Sequence, residues 1–274
     1  MRELIVLGTG SAMVTHCFNT CFALHLDKEY FLVDAGGGNG ILRQLEQAKI
    51  DARQIHHLFV THGHTDHVLG VIWVIRKIAT LINQGNYEGV FNIYCHRELI
   101  ETIETMTRLT LKKTDVAQLG QRIVFKEVKD GQQCQVLSLK LTFFDIQSTK
   151  AKQFGFTAKF PEGLLFSCLG DEPFNEHCRE YVTGSDWLLS EAFCLYADRE
   201  LFKPYEKHHS TVKEAGEIAA ALNVKNLLLY HTEDKNMAGR KKNYTQEAKE
   251  YYRGNIYVPD DLEVINLDGL FAAG

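Results

Sequence analysis

The sequence predicts a mixed α/β protein, and three observations carry that expectation. In the first half, apolar β-branched runs alternate with longer segments of helical period. From Arg122 to Phe160 strand-like runs follow one another with little helix between them. Beyond that, two apolar runs, Leu164–Asp171 and Asn226–His231, end abruptly in a carboxylate and a histidine. The chain has 274 residues, 45% of them apolar, which is enough for a sizeable core. Only four prolines, and no repeat or Ser-, Gln- or Pro-rich tract, leave no obvious boundary, so one domain over residues 1–274 is expected.

The first strand is read at Glu3–Leu7, followed by the loop Gly8–Ser11. Gly8 and Gly10 lack the third glycine and the following helix of a dinucleotide fingerprint; they are read as places where the backbone passes close to a metal floor. Cys21–Leu26 turns at Asp27–Glu29 into Tyr30–Asp34, which makes a meander. Ile41, Leu42 and Leu45 share one face of a helix over Ile41–Ala48. A buried strand Leu58–Thr61, a buried helix Val68–Ile82, a strand Val90–Cys95 and a helix Arg97–Leu111 complete the alternating half. Strands follow at Ile123–Phe125, Val136–Phe144, Phe154–Phe160, Leu164–Asp171 and Asp186–Ala192. A helix Val212–Leu222, with Thr211 as its cap, precedes the strand Asn226–His231.

Between the strand Leu58–Thr61 and the helix from Val68 lie His62, His64, Asp66 and His67. In a chain leaving a strand, residues two apart project to the same side, so His62, His64 and Asp66 are expected to converge while His67 opens the helix. Neutral imidazole and carboxylate are the ligands of borderline divalent ions such as zinc, manganese or iron. Set between two apolar elements with nothing to bind, three imidazoles and a carboxylate would repel one another or go unpaired.

The His-x-His-x-Asp-His pattern at 62–67 resembles the signature of the metallo-β-lactamase superfamily, and further residues are similar to its ribonuclease Z-like branch. The resemblance implies a four-layer αββα sandwich. It also implies a hydrolytic centre of one or two divalent ions, zinc first with manganese or iron as alternatives, at which a water is deprotonated near neutral pH. Asp171 matches the bridging aspartate and His231 the last histidine ligand. The implied metal ligands are therefore His62, His64, Asp66, His67, Asp171 and His231. Asp66 and His209 carry the implied catalytic roles. His208–Thr211 resembles the branch's His-Ser-Thr motif, whose histidine assists proton transfer or steadies the attacked phosphate, and the match falls on His209.

The chain departs from this pattern twice. The further histidine of the branch falls on Thr149 or Ser148, and neither hydroxyl is a good zinc ligand. The first ion would keep His62, His64 and Asp171, and the second Asp66, His67, Asp171 and His231. Lys150 and Lys152 in the same loop could instead set an ammonium near a substrate phosphate. Second, tRNA-maturing members insert a long arm between that histidine and the bridging aspartate, yet 22 residues separate Thr149 from Asp171. Of their early proline- and arginine-bearing loop, only Asn19 is kept.

The expected function is a metal-dependent phosphodiesterase acting on a small phosphodiester or RNA, with tRNA not expected. The alternatives are a hydrolase of a carboxylic ester, lactone or thioester on the same fold, or a metal-binding protein with impaired catalysis. The net charge of −5 lacks the basic character of many nucleic-acid binders. The N-terminus has neither the length nor the basic flank of a signal peptide, and no apolar run approaches the roughly 20 residues of a membrane span. Seven cysteines, odd in number and without zinc-ribbon spacing, read as reduced and mostly buried, which points to the cytoplasm. Members of the branch are commonly homodimers, so a dimer is implied as well.

Overall fold

The computed structural model describes residues 2–268. They gather into two compact units, one formed by residues up to Gly8, Phe18–Val128 and those from Asp260 on, the other by Thr9–Cys17 and Lys129–Pro259. Each unit holds a seven-stranded sheet.

In the first unit, β1 (Arg2–Gly8), β2 (Cys21–Leu26) and β3 (Glu29–Val33) form the expected antiparallel meander, and Val264–Asn266 adds an antiparallel strand outside β1. The strands β4 (Ile55–Phe59), β5 (Phe91–Cys95) and β6 (Ile123–Glu127) continue the sheet in parallel. Parallel neighbours need crossover segments. These are α1 (Gly40–Gln47), α2 (Thr65–Asn83), α3 (Arg97–Thr110) and the single turn α4 (Lys113–Val116). Val71, Ile75 and Ile78 of α2 and Ile103 of α3 are fully buried in one cluster with Leu32, Leu58, Ile93 and Ile123 of the sheet. Each such side chain contributes about 1.5–3 kcal/mol on leaving water. Gly70 lets α2 sit this close: a Cβ there would lie 1.8 Å from the Ala35 carbonyl oxygen.

The second unit begins with the hairpin β7 (Gln133–Val136) and β8 (Leu139–Asp145), extended antiparallel by β9 (Phe154–Lys159) and β10 (Leu165–Cys168). β11 (Trp187–Glu191), β12 (Asn226–Tyr230) and β13 (Asn255–Tyr257) then run parallel to β10. Helices again make the crossovers, from the short α5 (Arg179–Val182) and α6 (Arg199–Phe202) to α7 (Val212–Ala221) and α8 (Met237–Tyr251). Leu188, Leu227 and Leu229 of the sheet share a core cluster with Val212, Ala215 and Ala219 of α7 and Tyr244 and Ala248 of α8.

Several boundaries differ from the sequence reading. The strand expected at Leu58–Thr61 is Ile55–Phe59, and α2 starts at Thr65, so Asp66 and His67 both lie in its first turn and His64 is its N-cap. An acidic residue is stabilised there by the helix dipole. The single strand expected over Val136–Phe144 is a hairpin, because Leu137 adopts a left-handed conformation at φ 52° and reverses the chain. Helix α8 had no recognisable pattern, since only Arg240, Tyr244 and Ala248 are buried along it. Thr211 caps α7 as expected, in a capping box with Glu214. Among the described residues no helix is long and apolar enough to cross a membrane.

Candidate metal centre

In the first unit the candidate ligands are arranged by a buried carboxylate, Asp34, 28 positions before the motif begins at His62. Asp34 follows β3 in the left-handed region, at φ 54°. Its Oδ1 accepts the Thr61 amide at 2.8 Å, and its Oδ2 accepts both the Thr61 hydroxyl and His67 Nδ1 at 2.8 Å. The Thr61 hydroxyl, having donated to Asp34, receives His62 Nδ1 at 2.9 Å. This chain of donors puts the protons of His62 and His67 on Nδ1 and makes Nε2 the basic atom of each ring. That is how ligating histidines are oriented and their basicity raised.

The basic atoms then converge. His62 Nε2 lies 2.8 Å from His64 Nδ1, and His67 Nε2 lies 3.3 Å from Asp66 Oδ2. The His62 ring centroid is 4.4 Å from that of His64 and 4.3 Å from that of His67. His62, Asp66 and His67 are buried. Imidazole lone pairs aimed at one another beside a buried carboxylate suit a divalent cation, so the donor set fits the implied metal. The convergence expected of His62, His64 and Asp66 is found for the two histidines, but through loop and helix-start geometry rather than strand alternation.

In the second unit the site lies at the carboxyl ends of parallel strands, the usual place for ligands in such sheets. Asp171 follows β10, Glu191 ends β11 and His231 follows β12; all three are buried. His231 Nε2 is 3.4 Å from Asp171 Oδ2. Asp171, His209 and His231 each offer a ligand atom, all within 4.8 Å of one another. His209 is held on the Asp171 carbonyl oxygen through Nδ1 at 2.9 Å and stacked on Phe193 at 5.0 Å between centroids. A carbonyl oxygen only accepts, so Nδ1 carries a proton and Nε2 is the atom left for a reaction partner. Burial disfavours a charged His209, but the Glu191 carboxylate, 3.5 Å from Nδ1, outweighs it and raises the pKa above the ordinary histidine value.

Thr149 is exposed and bonded to His208 Nδ1 at 2.9 Å. The Lys150 ammonium donates to the Lys207 carbonyl oxygen at 3.0 Å and lies 3.6 Å from Glu172, so its first partners are protein groups. Asp34, Glu191 and Gln153 are the supporting residues the sequence reading passed over. Asp34 stood in plain view at the end of a predicted strand before a glycine run, and only the fold brings it to His67.

Two seven-stranded sheets with crossover helices and buried histidine–aspartate clusters at strand ends define a metallo-β-lactamase fold. The chain belongs to the family described as anti-Pycsar protein Apyc1, which matches residues 2–251. It is 28% identical to ribonuclease Z of Thermococcus sibiricus, with 97% of each chain covered. The fold is shared with the metallo-β-lactamase fold protein YhfI of Bacillus subtilis, at a TM-score of 0.79 and 19% identity over 96% of this chain and 98% of that one. The short form of human tRNase Z aligns with a TM-score of 0.74 and 20% identity over 97% and 99%. The ribonuclease Z-like branch expected from the motif is the one found. The chain is a metal-dependent hydrolase of this fold.

Proposed function

We propose that the chain hydrolyses a small phosphodiester. The residues proposed as ligands of divalent metal, zinc in the first instance, are His62, His64, Asp66 and His67 in the first unit, and Asp171 and His231 in the second. A divalent ion at such donors supplies Lewis acidity and lowers the pKa of a water toward neutrality. The single observation that carries the phosphodiester reading is the setting of His209. With Nδ1 fixed on the Asp171 carbonyl and the Glu191 carboxylate favouring its charged form, the ring presents Nε2 as a proton donor. A donor of that kind suits a phosphate oxygen or a departing alkoxide, and it is worth about 10²–10⁴-fold in rate. Asp66, whose Oδ2 lies 3.3 Å from His67 Nε2, would orient the attacking water.

A small substrate is favoured over tRNA because β9 and β10 are joined by a tight turn through Phe160–Leu164, where a binding arm would have to be inserted. The alignment to the Thermococcus sibiricus ribonuclease Z runs over 312 positions, longer than this 274-residue chain, so that relative carries segments absent here. The net charge of −5 supplies little for a long polyanion. Cytoplasmic residence is supported by the burial of Cys21, Cys95, Cys168, Cys178 and Cys194, with desolvation pushing the Cys178 and Cys194 thiols up to about 12. A homodimer, proposed only from the resemblance to the ribonuclease Z-like branch, is checked by light scattering.

The deciding experiment assays metal-reconstituted protein against bis(p-nitrophenyl) phosphate, thymidine monophosphate p-nitrophenyl ester, a cyclic mononucleotide, a lactone panel and pre-tRNA. Turnover of the small phosphodiesters is expected, with His209→Ala lowering kcat by about 10²–10⁴-fold at unchanged metal content. Turnover of lactones without phosphodiesters, or efficient pre-tRNA cleavage at physiological salt, would overturn the reading.

A further inference from the structure

The β8–β9 connection, in which the expected histidine is replaced by Thr149, carries a different contribution to the site. Ile146 N–H donates to the Gln153 carbonyl oxygen at 3.1 Å and closes the loop, so Gln153 meets β9 on a fixed backbone. Its side chain is buried, at 1% exposure, and its Nε2 donates to Asp171 Oδ1 at 2.6 Å. Room for that amide is left by Gly170, where a Cβ would stand 2.6 Å from Gln153 Nε2. The other carboxylate oxygen, Oδ2, lies 3.4 Å from His231 Nε2. The two oxygens of Asp171 therefore have different neighbours.

We infer that Gln153 is a positioning residue that reserves Asp171 Oδ1, so that Asp171 serves the metal through Oδ2 alone. This rests on the proposed ligation by Asp171 and His231. A hydrogen bond to an ionised carboxylate is stronger than one between neutral groups. A neutral amide also fixes the carboxylate's orientation without adding a positive charge that would compete with the cation. The bond is costly to give up, because a buried amide donor left without its acceptor keeps its full desolvation penalty. A bidentate Asp171 would have to share Oδ1 between the Gln153 amide and the cation, which weakens the hydrogen bond.

The test is Gln153→Met, which keeps an unbranched side chain of similar shape and removes the donor. Zinc uptake by the metal-free protein is followed by competition with a chromophoric chelator, with stoichiometry from elemental analysis and the melting temperature of the metal-free form measured alongside. A 10–100-fold loss of affinity is expected, the range for removing an outer partner of a ligand. In an Asp171→Asn background the same substitution should change affinity by less than about 2-fold, because the effect runs through the carboxylate. Unchanged affinity in Gln153→Met, or equal losses in both backgrounds, would overturn the inference. If Gln153→Met does not fold, Gln153→Asn, whose amide is withdrawn by one methylene, should lose affinity in the same direction; unaltered binding there counts against it. An unaltered chain that takes up no zinc overturns the metal reading and this inference with it, whereas equal zinc binding by parent and variant overturns this inference alone.

Discussion

Asp34→Asn isolates what a carboxylate, rather than a hydrogen-bonding side chain of the same shape, does for the ligands proposed in the first unit. Asparagine tolerates the left-handed backbone at φ 54°, so conformational strain is not the variable. Asp34 accepts three hydrogen bonds through two oxygens, from the Thr61 amide, the Thr61 hydroxyl and His67 Nδ1. An amide has one acceptor oxygen. If that oxygen faces His67, the amide NH₂ meets the Thr61 N–H, and a buried donor left without an acceptor costs about 1–3 kcal/mol of stability. If it faces Thr61 N–H, the NH₂ meets His67, which relieves the clash by moving its proton from Nδ1 to Nε2. Nε2 is the atom proposed to bind metal, so the relief removes the ligand's lone pair. Loss of such a partner lowers metal affinity by 10–100-fold, or about 1.4–2.7 kcal/mol. Chelator competition with zinc reads the second outcome and thermal unfolding of the metal-free protein reads the first. One of the two must move; a variant with unchanged affinity and unchanged melting temperature refutes the reasoning.

Replacing both His64 and His67 by alanine should reduce bound divalent metal, measured by elemental analysis, to well below the parent's content, and full content in that variant would remove the motif from the site. Gly70→Ala places a Cβ against the Ala35 carbonyl and should cost about 3 kcal/mol, at the upper end of overpacking, lowering the melting temperature by roughly 6–12 °C. Burial holds the His57 pKa down at about 4, while Nδ1 contacts the Tyr94 hydroxyl at 3.0 Å. The unfolded chain thus takes up a proton at His57 before the folded one does. Stability from this group is complete above pH 6.5 and falls as the pH drops from 6.5 toward 4. His57→Gln should flatten the pH dependence of denaturant unfolding in that window, and an unchanged slope would contradict the assignment.

Much of the candidate site could be read from the chain because metal ligation would restrict residue type and local spacing together. His62, His64, Asp66 and His67 fall within six positions between two apolar elements, and few arrangements other than a cation site tolerate them there. Asp171 and His231 were visible for a related reason: each follows a run apolar enough to be a buried strand, and a charged or basic group there marks a strand end. The strands Cys21–Leu26 and Phe154–Lys159, and the Thr211 cap of α7, followed from period and end signals carried by adjacent residues.

Long-range pairing decided the rest. Asp34 reaches His67 only because β3 and β4 are parallel neighbours, which brings the end of β3 beside the loop that follows Phe59. Gln153 meets Asp171 across the β9–β10 pair, and Glu191 meets His209 because β11 ends beside the loop leading into α7. None of these partners lies within a helical turn or a strand repeat of the other, so no local pattern records them. Side-chain periodicity reports burial, and residue type reports which atoms can bind. Which oxygen of Asp171 is reserved, and which nitrogen of His62, His67 and His209 holds the proton, is set by hydrogen bonds between segments 1 to 38 positions apart, and the closest of those still depends on the most distant.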